Sequence, residues 1–206
     1  MLFASASQTL LTLGRDSKRL GAELGVTMVL HTWTRELHFH PHVHAIVTGG
    51  GLSDDGARWE RARKDFLFPV RVMGALFRGK MLAALEHAHA RGQIDLGPVD
   101  LRALRTKSWI VYAKRPFGGP EHVIRYLGRY THRVGISNQR LVSMDACGVT
   151  FRTKDGKAIT VSGPEMLARF VQHVLMPRFV KIRHYGLHSA SKAKARLELA
   201  HQLQSR

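Results

Sequence analysis

Four histidines alternate through Leu37-His38-Phe39-His40-Pro41-His42-Val43-His44, and two tyrosines, Tyr126 and Tyr130, stand four residues apart further along the chain. In an extended strand, side chains two apart share a face. Pro41 has no amide hydrogen for a ladder, so regular pairing is expected from there, over Pro41 to Val47. His42 and His44 then project together, while Val43, Ala45 and Val47 pack on the other side. Two imidazoles converging in this way form half of a divalent-metal site of the kind Mn²⁺, Zn²⁺, Ni²⁺ or Fe²⁺ occupies. The same spacing also suits ordinary surface or hydrogen-bonded histidines, and residue types alone do not separate the two.

The tyrosines lie in Tyr126-Leu127-Gly128-Arg129-Tyr130-Thr131-His132-Arg133. At about 100° per residue, a helix puts Tyr126 and Tyr130 about 40° apart on one face. Val123, Leu127 and Val134 adjoin them on one side, and His122, Arg129 and Arg133 on the other. The helix therefore grades from core, through two hydroxyls, to positive charge, which suits holding a phosphodiester beside a phenol. A phenol with a pKa near 10 is a weak nucleophile at neutral pH, so its target phosphate needs a cation to polarise it. The alternative is that two tyrosines four apart simply pack together or on the core.

The whole chain supports a polyanionic partner. Its 206 residues carry 32 Lys or Arg against 15 Asp or Glu, a net charge of +17. Such an excess costs self-repulsion and points to nucleic acid, with an anionic membrane surface second. From Arg102 to Arg140 there are nine basic residues and one acid, Glu121; from Arg178 onward there are seven, against Glu198. Backbone contacts to DNA are expected from Arg125, Arg129 and Arg133 on the tyrosine helix, Lys114 and Arg115 before it, and Lys181 and Arg183 after it. No run of about 18 apolar residues exists to span a bilayer. The start lacks the basic stretch of a signal peptide. A lone Cys147 makes neither an internal disulfide nor a cysteine zinc cluster, so a cytoplasmic protein is expected.

The elements that must position these residues are legible in outline. Leu2 to Leu13 has helical spacing. Leu24 to Trp33 reads as a strand. The glycines 49–51 and the turn residues 53–56 suggest a hairpin continuing into Arg58 to Glu60. A long helix is expected from Val70 to Arg91, a buried strand at Ser108 to Ala113, and a helix from Glu121 to His132. Short strands follow at Leu141 to Met144, Val149 to Thr153 and Ala158 to Val161. Ser162 with Glu165 marks a helix start, that helix running to Leu175, and a last strand covers Phe179 to Tyr185. Hairpins mixed with helices predict an α+β fold with a central, largely antiparallel sheet flanked by helices. One domain over residues 1–188 and a basic helix or tail over 189–206 are expected.

With these residues in view, the chain resembles the HUH endonuclease superfamily. His42-Val43-His44 matches its His-hydrophobic-His motif, and Tyr126 with Tyr130 its paired-tyrosine variant. The blocks FHPHVHAIVTGGGL, VYAKRPFGGPEHVIRYLGRYTHRVGISN and FVKIRHYGL are similar to the rolling-circle transposases of bacterial insertion sequences, including those of common-region elements. Cupins and metal-dependent barrel hydrolases also use His-x-His, but Ala45 to Gly56 holds no glutamate for the first, and the chain is short of the roughly 250 residues a barrel takes.

The resemblance implies a nickase and strand transferase acting on single-stranded DNA at element ends and target, with Mg²⁺ or Mn²⁺ held by His42 and His44. One tyrosine would attack to leave a 5′-phosphotyrosine, and the other would serve a second transesterification. A third metal ligand is implied, with His31 the first choice and Glu36, His40, His122 and His132 behind it. A plasmid relaxase or replication initiator would share this chemistry. A non-catalytic single-strand-binding domain from a decayed element would share only the charge. Members of the family carry a cysteine-rich zinc-binding segment at the N-terminus, and no cysteine precedes Cys147 here, so this chain is expected to correspond to the catalytic domain.

Overall fold

The computed structural model describes residues 1–131, 135–153, 155–190 and 193–204, excepting the side chains of 129–131 and 193. Its elements, in chain order, are α1 (Leu2–Arg15), β1 (Ala22–Trp33), β2 (Phe39–Ser53), β3 (Trp59–Arg61), α2 (Val70–Ala90), α3 (Leu101–Thr106), α4 (Pro120–Thr131), β4 (Leu141–Asp145), β5 (Gly148–Arg152), β6 (Ala158–Val161), α5 (Gly163–Val171), β7 (Ile182–Gly186) and α6 (Ala193–Gln204). The fold is α+β, with a four-stranded antiparallel sheet ordered β3-β2-β1-β7 and a three-stranded sheet ordered β4-β5-β6. The chain forms two compact units, one of residues 1–28, 45–117 and 183–206, the other of residues 29–44 and 118–182.

In the first unit, α1 buries small hydroxyl residues, Ser5, Ser7 and Thr9, between Phe3 and Leu13. Burying hydroxyls is costly unless they are bonded. Thr9 donates to the Ser5 carbonyl at 2.7 Å and Ser7 to that of Ala4 at 3.1 Å, so these two hydroxyls are satisfied within the helix. Gly14 is buried with them, and a Cβ there would stand 2.9 Å from the Leu24 side chain. Leu24, Val26 and Met28 on β1 are fully buried, each worth about 1.5–3 kcal/mol in apolar burial. Glu23, 7% exposed, lies between two guanidiniums, Arg15 at 3.0 Å and Arg196 of α6. Gly186 ends β7 at φ +59, and a side chain there would collide with the Leu24 carbonyl.

The second unit packs Leu37, Ile136, Phe151 and Val161 into a small core, with Ile159 and Met166 against it. Strand β5 pairs antiparallel with β4 and β6. Ser162 caps α5 by accepting from the Glu165 amide at 3.3 Å, the arrangement its sequence announces. The turn from β1 to β2 is built on Thr34, whose hydroxyl accepts from the amides of Glu36 and His38.

Several expected elements differ. Strand β2 starts at Phe39 and continues through the glycines to Ser53. Gly50 and Gly51 stay in the strand because they lie against the Glu60 and Glu23 carbonyls, where a Cβ would not fit. Opposite the histidines, Val43 and Val47 are half-buried and Ala45 is exposed, so that face is not core. Ser108 to Ala113 joins no sheet among the described residues; Trp109 and Val111 pack on α2 instead, and Ile110 and Tyr112 are exposed. Helix α5 stops at Val171 rather than Leu175. Helix α3 was not expected; its signal is Asp100, whose carboxylate accepts from the amides of Arg102 and Ala103.

Candidate active site

The site lies within the second unit and is assembled from β1, β2 and α4. Strand β1 contributes His31, 4% exposed, and Trp33 two residues on. Being two apart they share a face, and their rings stack nearly parallel with centroids 5.0 Å apart and an interplanar angle of 12°. Strand β2 contributes His42 and His44, both half-buried, with ring centroids 5.1 Å apart. His31 approaches His44 to 4.5 Å and His42 to 5.6 Å between centroids. One ring nitrogen from each of the three histidines can be chosen so that all lie within 4.8 Å of one another.

The hydrogen bonds around this trio set which nitrogens face it. The Nδ1 of His42 is 2.7 Å from the His40 carbonyl. A carbonyl only accepts, so Nδ1 carries the proton and the Nε2 lone pair remains for a ligand. The Nδ1 of His44 is 2.9 Å from the phenolic oxygen of Tyr126 on α4. The residues present therefore fit a divalent cation: three imidazoles, one with its tautomer fixed by a backbone partner, as metal-binding histidines usually are. An all-nitrogen set suits Mn²⁺ and the later divalent metals better than Mg²⁺, which favours oxygen ligands.

Around the trio, Lys181 places its ammonium 5.3 Å from the centroid of the Trp33 ring. Burial pushes its pKa below the ordinary 10.5. The turn carrying β1 into β2 is held from outside by three side chains. Arg140 donates to the Arg35 carbonyl at 2.8 Å, Arg169 to that of Glu36 at 2.8 Å, and His173 Nε2 to that of Leu37 at 3.0 Å. With Nε2 donating, His173 Nδ1 accepts from the Thr32 hydroxyl at 3.1 Å. Three consecutive carbonyls are thus each bound by a different side chain.

Of the residues singled out in the sequence, His31, His42, His44 and Tyr126 come together. Of the fallback ligands, Glu36, His40 and His122 do not join them: Glu36 and His38 pair with each other at 3.4 Å on the surface, while His40 and His122 are exposed. Arg125 is exposed on α4. The side chains of Arg129 and Tyr130, and all of His132 and Arg133, lie outside the described residues. In the first unit, Lys114 and Arg115 are exposed, and Arg183 lies 4.8 Å over the Phe3 ring. Sequence reasoning missed Trp33, Arg140, Arg169 and His173. Trp33 had a signal, since it follows His31 at the same-face spacing; the other three act through folded-state contacts at long separation.

Comparison with known proteins defines the class. A family model described as "Putative transposase" (Y2_Tnp) matches residues 25–195, and the chain belongs to this transposase family. Among curated proteins it is 45% identical to "Putative transposase y4qJ" of Sinorhizobium fredii (strain NBRC 101917 / NGR234), over 90% of this chain and 51% of that protein. It is 30% identical to "Transposase for insertion sequence element IS801" of Pseudomonas savastanoi pv. phaseolicola, over 82% of this chain and 44% of that protein. The chain thus spans about half the length of the curated relatives it matches. No solved structure matches it. Among the described residues, no helix is long and apolar enough to cross a membrane.

Proposed function

We propose that this chain is the catalytic part of an insertion-sequence transposase that nicks and rejoins single-stranded DNA through a 5′-phosphotyrosine, with Tyr126 as the attacking residue. The observation that carries the reading is the 2.9 Å contact between Tyr126 and His44, itself one of three clustered imidazoles. His31, His42 and His44 would hold Mn²⁺ or Mg²⁺. When bound, the ion supplies Lewis-acid polarisation of the scissile phosphate.

The chain's own residues do the rest. If His44 gives its Nε2 lone pair to the ion, its Nδ1 must keep the proton and donate to the phenol oxygen. That bond both aims the phenol and stabilises negative charge on it as the proton leaves. The phenol gives its proton to solvent, its oxygen bonds to phosphorus while the bond from phosphorus to the 3′-oxygen breaks, and the departing 3′-oxygen takes up a proton from solvent, so that one proton leaves and one is returned. The phosphodiester is conserved as a phosphotyrosine ester, so a later 3′-hydroxyl rejoins the strand without an external energy source. Tyr130, one helical turn on, is assigned the second transesterification. Arg125, Arg129, Arg133, Lys114, Arg115, Lys181 and Arg183 are assigned to DNA backbone.

The test is incubation with labelled single-stranded element-end DNA and Mn²⁺, read as a protein–DNA adduct that survives denaturation. Tyr126→Phe should abolish the first adduct, and His42→Ala with His44→Ala should abolish metal-dependent cleavage while leaving DNA binding within about threefold of wild type. An adduct undiminished in the Tyr126→Phe, Tyr130→Phe double variant would exclude both nucleophiles.

A further inference from the structure

We propose that residues 109–115 form a stacking platform for single-stranded DNA, with Tyr112 as the side chain that receives a base. The proposal rests on the single-strand reading above and adds a second place of contact, in the first unit. The segment is neither helix nor strand, yet over residues 109–112 its burial alternates, and 113–115 are all exposed. Trp109 and Val111 are half-buried, whereas Ile110 is 95% exposed and Tyr112 79% exposed.

The inner residues explain the alternation. The Trp109 indole donates to the Leu104 carbonyl at 3.1 Å and meets Phe77 of α2 edge-on at 5.5 Å. A Cβ on Gly74 of α2 would stand 2.8 Å from the Trp109 carbonyl and 3.9 Å from the Val111 side chain, so the segment is seated directly on that helix. With 109 and 111 fastened inward, 110 and 112 are turned to solvent, and 113–115 are exposed after them. A phenol left in water on an anchored backbone is costly for an isolated fold and is what sequence-tolerant single-strand binders use, because every base offers a π-face.

Charge selects the occupant. Arg102, Lys107, Lys114 and Arg115 are all exposed, and none forms an ion pair among the described residues. No acid occurs from residue 101 to 117. A protein strand laid on Ile110 and Tyr112 would bury apolar area but gain little from four uncompensated cations. A polynucleotide uses both, stacking on the ring and neutralising phosphates.

The experiment is fluorescence anisotropy with a short oligothymidine and an abasic oligonucleotide of the same length. Tyr112→Ala should weaken oligothymidine binding by about tenfold or more and leave abasic binding unchanged, while Tyr112→Phe should bind like wild type. Unchanged oligothymidine binding by Tyr112→Ala, or an equal loss on both probes, overturns the platform. Loss of self-association instead of DNA affinity would assign the face to a protein partner and overturn it too. The phosphotyrosine assay separates the two claims. Tyr112-dependent binding without an adduct upholds the platform and rejects the nicking mechanism. An adduct with Tyr112-independent binding does the reverse.

Discussion

On the proposed mechanism His44 has a use for each ring nitrogen, and that double duty would distinguish it from an ordinary strand histidine. Its Nδ1 meets the Tyr126 phenol, which would leave Nε2 for the ion that the imidazole trio could hold. His44→Gln should therefore cost more than lost metal affinity: with saturating Mn²⁺, adduct formation should still fall by roughly a hundredfold, a typical loss for a donor that stabilises developing negative charge. Single-turnover rates at rising Mn²⁺ check this, and full rescue by excess metal would reduce His44 to a ligand alone. Trp33 works at one remove. Its ring presses flat on His31, so Trp33→Leu should lower Mn²⁺ affinity about tenfold, as changes in supporting residues commonly do, measured by calorimetry on the DNA-free protein. His42, His44, Tyr126 and even His31 were legible in the sequence because strand and helix periodicities place side chains by counting. The His42 tautomer was not legible, since it depends on where the His40 carbonyl points after Pro41.

At the scale of elements, the turn between β1 and β2 governs the site, because it fixes which residue of one strand stands opposite which of the other. A slip of one residue would turn His31 or the His42–His44 pair to the opposite face. The side chains of Arg140, Arg169 and His173 lock that turn through three consecutive carbonyls. Arg169→Ala should destabilise the protein by about 1.5–3 kcal/mol, the usual worth of a charged hydrogen bond, and should reduce Mn²⁺ affinity as well; denaturant unfolding and metal titration measure the two effects. The donors come from more than 100 residues downstream of the turn, so no local pattern discloses the lock. Local signals did succeed elsewhere. Ser162 and Glu165 start α5 as their spacing demands, and the alternation through β2 is readable in the sequence although its glycines, which suggest an end, stay inside the strand. Ser108 to Ala113 misled because an apolar, β-branched run states only that something will be buried. Here only Trp109 and Val111 are covered, on a helix rather than in a sheet.

For the whole molecule, charge and pH set the working range. The net charge of +17 makes DNA affinity steeply salt-dependent, with log Kd rising against log salt by about 0.7 for each phosphate neutralised on a single strand. Removing Lys114 and Arg115 together should lower that slope by about one to two units, read from anisotropy titrations across salt concentrations. In the first unit, His184 and His188 both bring Nδ1 to the buried Thr27 hydroxyl, at 3.0 and 3.1 Å. Burial first, and then the neighbouring His184, hold the His188 pKa below its ordinary 6.5. The unfolded chain thus takes up this proton at higher pH than the folded one. The contribution of His188 is present above about pH 6.5 and is lost as pH falls through its lower folded value. Thermal unfolding at pH 7.5 and pH 5 should show a drop in Tm that His188→Gln makes smaller.

The stacking of Trp33 on His31 also has an optical consequence. The chain has three tryptophans, at 33, 59 and 109, and only the first lies flat against an imidazole of the trio. Its emission is a built-in gauge of what that imidazole holds: a paramagnetic ion such as Mn²⁺ arriving there should quench it, and Zn²⁺ should shift it without quenching. In a variant with Trp59 and Trp109 replaced by phenylalanine, occupancy could be followed by light alone, in real time and without DNA.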